Sequence, residues 1–451
     1  MSRNRSRGGA AKLRPVHFLA SVFALLVLAC LAVITESSKT NGQQSDGPAS
    51  FPAPRTAEAG RPELCSHERV SCFDLGKAWG VVIRGVRPSE GAVIWERGGP
   101  GSALPVDIDI VRRDLPQFVY ERDVLIVSEP WERHLPDDPC RSSLGEQMRT
   151  LLDDETDTPP TNSCDFPKLW WTASSYRDAV MRLVSYAGVF LQGLYADSFG
   201  ATRAGWIKDV IRGRKGWQVL NVPAPAPGAI TGAELIGERA KVVVATAARE
   251  YSKLCISYTW ACRTKFADLF RPSEATGTIS SGDLSSALLW ATYDWTNRSN
   301  ELWRAVDLAR RGERSTLKKL SFAASYRSGA STVFPNLAGY LAGICVTYGH
   351  WPRLHALAES SAEAMVAARL ARMHIPCHAF RPPVGSVRIA SDGCAVINKA
   401  DPVAPSSLLR QWLDRGEPGR ILAHSYPGHG SVPPTVAEKL NRAVHAGTCR
   451  A

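Results

Sequence analysis

Apolar and polar positions fall into blocks of different rhythm along this chain. From residue 80 to 225 the apolar positions come in short continuous runs. Gly80-Val-Val-Ile-Arg84, Gly91-Ala-Val-Ile-Trp-Glu96 and Asp123-Val-Leu-Ile-Val-Ser-Glu129 read as buried strands. Ser175-Tyr-Arg-Asp178 resembles a capping box and opens a helix to about Ala187, which Gly188 closes. A further apolar run reaches Leu191-Gln-Gly-Leu-Tyr-Ala-Asp-Ser-Phe-Gly-Ala-Thr-Arg-Ala204, and an amphipathic segment starts at once. Trp217-Gln-Val-Leu-Asn-Val222 is the next strand. The order is strand, strand, strand, helix, strand, helix, strand. Strands that are apolar throughout and alternate with helices predict a mainly parallel sheet covered on both faces. Between these elements, Pro130–His134 reads as a loop and 135–168 as a polar, acidic excursion.

The rhythm changes at about residue 229. Ala-rich helical periodicity dominates to 375, with helices expected near 231–251, 284–293, 299–312 and 357–374. Trp290, Tyr293, Trp295 and Trp303 in this block read first as helical core, with the roof of a pocket as the alternative. Sheet rhythm returns at Val387-Arg-Ile-Ala-Ser-Asp392 and Arg420-Ile-Leu-Ala-His-Ser-Tyr426, and a helix spans about Pro434 to Ala446. The expected organisation is therefore a two-part α/β core, 63–228 and 381–451, interrupted by a helical insertion at 229–380.

The N-terminus is of another kind. Arg3, Arg5, Arg7, Lys12 and Arg14 precede an apolar run from about Phe18 to Ile34, so residues 1–35 read as an export signal or an N-terminal membrane anchor. Val27-Leu-Ala-Cys30 faintly resembles a lipid-attachment site, but apolar residues follow Cys30 instead of a polar tether. Residues 36–62, rich in Ser, Pro, Gly and Ala, read as a flexible linker. The formal charge of +11 owes five basic residues to the first fourteen positions. The rest is dispersed, which argues against nucleic-acid binding. Setting Cys30 aside, ten of the 11 cysteines remain. An even number in an exported chain suggests disulfides, and nearest-neighbour pairing gives 65–72, 140–164, 255–262, 345–377 and 394–449. No C-x-x-C pair occurs, so zinc is a poor reading. Neither a metal nor a cofactor is called for.

Candidate chemistry centres on Ser198, between Ala196 and Gly200 at a strand-to-helix turn. That is a variant of the nucleophile elbow G-x-S-x-G, whose flanking positions must be small. Arg97-Gly-Gly-Pro-Gly-Ser102 follows a strand directly and suits an oxyanion hole built from main-chain N–H groups. Pro100 has no N–H, which leaves Gly98 or Gly99. Asp401, in Asn398-Lys-Ala-Asp-Pro-Val-Ala-Pro405, and His429, in Pro427-Gly-His-Gly430, complete the order serine, acid, histidine. In such a trio His429 takes the serine proton and Asp401 supports the imidazolium. His424 competes but lies inside a strand.

These motifs resemble the exported tripeptidyl aminopeptidase and proline iminopeptidase group of α/β-hydrolases over most of 80–446. The carriers are Gly98-Gly-Pro-Gly101, Ala196-Asp-Ser-Phe-Gly-Ala-Thr202, Val219-Leu-Asn-Val-Pro-Ala-Pro225, Cys345…Trp351-Pro352, Asp401-Pro-Val-Ala-Pro405 and Gly428-His-Gly430. The resemblance implies an α/β-hydrolase fold and a Ser198, Asp401, His429 triad. It also implies Gly99 and Phe199 as oxyanion donors and a helical cap at 229–375 over the substrate. It implies an exported aminopeptidase; an esterase of the same fold and a non-catalytic binding protein are the alternatives. Two departures stand out. Ala196 replaces the usual glycine, and Ser128-Glu-Pro-Trp-Glu-Arg-His134 stands where the group carries D-x-R-G-x-G-x-S. Glu234 and Glu238 are candidates to meet a peptide's amino terminus, against the plainer reading of a solvated helix face.

Overall fold

The computed structural model describes residues 61–449, apart from 157, 213–215, 226–227, 272–278, 354–360, 381–392, 414–419, 427 and 431. The expected signal or anchor, Cys30, most of the linker and the expected strand at 387–392 lie outside the described residues.

Eight strands carry the fold: β1 Val70–Asp74, β2 Trp79–Ile83, β3 Ala92–Glu96, β4 Asp123–Val127, β5 Leu191–Asp197, β6 Trp217–Asn221, β7 Cys394–Asn398 and β8 Arg420–His424. They form one sheet in the order β1-β2-β4-β3-β5-β6-β7-β8. β2 runs antiparallel to β1 and β4, and every pair from β4 to β8 is parallel. This is the α/β-hydrolase fold.

Burial explains the runs. β3, β4, β6 and β7 are buried at every position. Successive side chains alternate between two cores. Ile94 and Leu125 join the helices Ala173–Ala187 and Gly200–Arg212 on one face. Val93, Trp95, Val124 and Ile126 meet Ile108–Asp114 and Pro434–His445 on the other. Because β3 to β8 are parallel, their carboxyl ends share one edge. β3 pairs with β4 on one side and β5 on the other, so the strand order reverses there. Such a switch point leaves a crevice at the carboxyl edge where ligands bind in open α/β sheets.

Between β6 and β7 the described residues are mainly helical. Gly232–Tyr251, Ser281–Tyr293, Trp295–Arg310, Ser315–Ala324, Asn336–Thr347 and Ala362–Met373 bury their apolar faces in a third cluster. Ser315–Ala324 and Asn336–Thr347 were not expected from the sequence. Trp290, Trp295 and Trp303 are core, as first read.

Several local expectations need correction. β1 escapes the sequence pattern because its alternation is short and polar, Val-Ser-Cys-Phe-Asp. The polar excursion at 135–168 begins as a helix, Asp138–Leu152, whose Asp137 side chain accepts from Cys140 N–H. Its acidic start, read as loop, is an N-cap. Pro130–Arg133 is a helical turn instead of a loop. The helix after Trp171 is capped by Thr172 and Ser175, three residues before the expected start. The sheet's seventh strand is the uninterrupted apolar run Cys394-Ala-Val-Ile-Asn398.

The five disulfides pair as nearest neighbours: Cys65–Cys72, Cys140–Cys164, Cys255–Cys262, Cys345–Cys377 and Cys394–Cys449. Among the described residues no helix is long and apolar enough to cross a membrane. Cys394–Cys449 closes the longest loop of the five, with a sequence separation of 55, and ties β7 to the end of the chain. Crosslinking a loop of that size restricts the unfolded chain by about 4 kcal/mol. The Cys394→Ala/Cys449→Ala variant is therefore expected to lose about 3–4 kcal/mol of stability in urea unfolding, where an unchanged midpoint would show that the bridge does not constrain the unfolded chain.

Candidate active site

Ser198 stands directly after β5 with a left-handed backbone, φ 47°. Such a conformation is costly for a residue with a side chain and persists only where the surroundings fix it. They do so here. Ser198 N–H donates to Asn221 O at 2.9 Å, while Ser198 O accepts from Ala224 N–H at 2.9 Å and from Ala201 N–H at 3.1 Å. At Gly200 a Cβ would lie 2.2 Å from the Glu96 carbonyl oxygen, so the elbow helix starts hard against the end of β3 and only glycine fits. Position 196 is less demanding, and its alanine is fully buried in the sheet core.

The three residues singled out in the sequence meet. Ser198 Oγ is 2.8 Å from His429 Nε2, and His429 Nδ1 is 2.8 Å from Asp401 Oδ2. Asp401 Oδ1 accepts from Val403 and Ala404 N–H at 2.8 and 2.9 Å. Both oxygens of the Asp401 carboxylate are thus held, one by its own loop and one by the histidine. Asn398, at the end of β7, donates through Nδ2 to Tyr426 O and Gly428 O, binding the acid loop to the histidine loop. His429 N–H donates to Tyr293 O at 2.8 Å, and the Tyr293 ring sits 5.1 Å from the imidazole. Of the four aromatic residues read first as core, Tyr293 is the one at the site, and it is 41% exposed. His424 stays apart on β8, where Nδ1 accepts from Tyr426 N–H.

The glycine loop lies beside the serine. A Cβ at Gly98 would fall 3.4 Å from Ser198 Cβ. Gly101 N–H is committed to Glu129 Oε2 at 2.7 Å. Among the described residues, no group accepts from the main-chain N–H of Gly98, Gly99 or Phe199. The two donors expected from the sequence, the Gly99 and Phe199 N–H groups, are therefore uncommitted, and Ser198 Oγ sits against a base. Such a set can bind an oxyanion during attack on a carbonyl carbon.

Sequence reasoning missed what holds this loop. Arg203, on the elbow helix, is buried at 3% exposure. Its Nε donates to Glu96 Oε2 at 2.9 Å, its Nη1 to Glu129 Oε1 at 3.0 Å and its Nη2 to Arg97 O at 2.5 Å. Tyr176 bonds the other Glu96 oxygen, and Trp131 Nε1 donates to Glu129 Oε2 at 2.8 Å. Burial pushes both glutamates above the usual carboxylate range, with Arg203 opposing it. Burial also works against the Arg203 charge, but Glu96 and Glu129 hold its pKa above the ordinary value. The departure at 128–134 thus has a definite use. Glu129 fixes the C-terminal end of the glycine loop, and Arg203 fixes its start. An arginine amid the small residues Ala201, Thr202 and Ala204, in the first turn of the elbow helix, is the signal that could have exposed it.

A further acid, Asp197, half-buried at the end of β5, accepts from Trp95 Nε1 and Asn221 Nδ2, each at 2.7 Å, and desolvation raises it to about 6. Glu234 and Glu238 are not at the site's disposal. Glu234 closes a capping box on Thr231, and Glu238 bonds Lys241 and Ser407.

No family model matches the chain, and no curated protein does. Solved structures of similar fold include a proline iminopeptidase-related protein from Thermus thermophilus, 13% identical, spanning 85% of this chain and 99% of that one at TM-score 0.38. Proline iminopeptidase of Mycobacterium smegmatis is 12% identical, over 84% and 98%, at TM-score 0.40. An alpha/beta hydrolase fold protein from Nakamurella multipartita is 15% identical, over 84% and 99%, at TM-score 0.37. These are distant likenesses of fold.

Removing Arg203 would leave two carboxylates buried without their cation. Arg203→Met is expected to destabilise the protein by about 3–5 kcal/mol at pH 8, read from urea unfolding; a loss below about 1 kcal/mol would show that the cluster is not a buried ion network.

Proposed function

We propose that this chain is a serine hydrolase acting on an ester or amide carbonyl. Ser198 Oγ attacks the carbonyl carbon while His429 Nε2 takes the serine proton. Asp401 holds the imidazole through Nδ1 and stabilises its charged form. The oxyanion rests on the N–H groups of Gly99 and Phe199. His429 then gives the proton to the leaving group, the carbonyl–leaving-group bond breaks, and an acyl-Ser198 ester remains. Water, deprotonated by His429, releases the acid and restores Ser198. The observation that carries this reading is the unbroken hydrogen-bonded line from Ser198 through His429 to Asp401 beside unoccupied main-chain donors.

Within that class, the residue resemblance points to an aminopeptidase releasing short N-terminal pieces, with the helices between β6 and β7 as a cap over the substrate. A second reading, an esterase or amidase whose substrate has no free amino terminus, is favoured by one specific observation. The candidate amino-terminus acids Glu234 and Glu238 are engaged elsewhere. We further propose that the folded body works outside the cytoplasm, since five disulfides suit an oxidising compartment.

A fluorophosphonate probe is expected to label the protein once, at Ser198, and Ser198→Ala to abolish the label; a folded protein that takes no label would sink the hydrolase reading. Free-amino peptides, N-blocked peptides and p-nitrophenyl esters then divide the two substrate readings. Turnover of free-amino peptides alone supports the aminopeptidase, and turnover of esters alone supports the second reading.

A further inference from the structure

Arg239 lies on the helix Gly232–Tyr251, three residues after Ile236 and four before Val243, both buried. That spacing sets it on the helix's inward stripe. Among the described residues no carboxylate pairs with it, and its Nε is shielded from solvent without a hydrogen-bond partner. Its neighbours are aromatic. Its charge lies within electrostatic range of Tyr293, Tyr326, Tyr340, Tyr348 and His374.

Those rings also touch the pieces of the site. Tyr293 packs on His429. Tyr348 meets Phe199 edge-on at 6.4 Å. Tyr340 closes over the glycine loop, where a Cβ on Gly101 would lie 3.0 Å from Tyr340 Cβ, and Tyr326 stacks on Tyr340 at 5.0 Å.

The hydrogens around Arg239 can be assigned. His374 Nδ1 is 2.7 Å from Leu370 O, which only accepts, so Nδ1 carries the proton. Buried and stacked on Trp351 at 4.5 Å, His374 stays neutral, with burial lowering its pKa to about 3. Its Nε2 therefore accepts, and the Tyr340 hydroxyl 2.8 Å away must donate to it. Tyr348 likewise spends its hydrogen on Pro225 O at 2.7 Å. Both phenol oxygens are left with lone pairs only. They can steady a guanidinium but cannot neutralise it. A guanidinium has five N–H donors in a planar fork that matches a carboxylate. A half-buried cation with no ion-pair partner among the described residues is stabilised when a ligand supplies one.

We propose that Arg239 is the anion-binding residue of the substrate site, and that the substrate is an ester or amide bearing a carboxylate. This rests on Ser198 being the nucleophile. It also reverses the expectation of an acidic pocket for an amino terminus: the recognising charge is positive, so the group recognised is negative.

The test compares mono-p-nitrophenyl glutarate with p-nitrophenyl pentanoate, which has nearly the same length and no charge. The unaltered protein is expected to favour the glutarate ester in kcat/KM. Arg239→Met is expected to lower the glutarate-to-pentanoate ratio roughly 10- to 100-fold, and Arg239→Lys to recover part of it. A ratio left unchanged by Arg239→Met would overturn the proposal. A second arm needs no turnover. Ser198→Ala protein should bind free glutarate in calorimetry, and Ser198→Ala/Arg239→Met should not. Glutarate binding lost with Arg239 in a protein that hydrolyses neither ester would keep the anion site and remove the hydrolase reading. Ester turnover with no dependence on Arg239, and no glutarate binding, would do the reverse.

Discussion

The structure turns on one close approach. Glycine at 200 lets the helix after Ser198 start against the carbonyl oxygen of Glu96, where a single methyl would sit 2.2 Å from that oxygen. This contact brings the end of β3 to the elbow, and the glycine loop that continues from β3 comes to lie beside the serine. The same proximity puts Arg203 within reach of the Glu96 side chain and the Arg97 carbonyl. Backbone strain at Ser198 and a buried ion cluster are then two consequences of one packing event. The cluster is expensive to bury, and it gives the loop a defined position in return.

Glu129, just after β4, ties three parts of the site together, because its carboxylate accepts from Gly101, Trp131 and Arg203. The helices between β6 and β7 bring tyrosines to the same edge, Tyr293 against His429 and Tyr340 against Gly101.

Much of this was legible in the chain. Strands buried on both faces write themselves as unbroken apolar runs, so β3 to β6 could be read directly. Ser198, Asp401 and His429 could be found because each follows a strand at the sheet's carboxyl edge, and chain order then matches spatial order. What was not legible depends on distant partners or on chemistry that looks like loop. Asp138–Leu152 begins with acids that cap a helix, but acids also mark solvated loops. β1 is short and partly polar, and it becomes a strand by pairing with β2. Arg203 is separated from Glu96 by 107 residues, and no local pattern announces that pair. Arg239 looks like any surface arginine until its helix is packed.

The central claim is that Ser198 and His429 act as one unit. Its most direct test is a double-variant cycle on the kcat/KM of an activated ester, comparing Ser198→Ala, His429→Ala and the pair. Residues that work as a unit lose grossly non-additively, so the double variant is predicted to be no slower than the worse single one. Losses that multiply would contradict the account, because they would mean that the two side chains contribute independently.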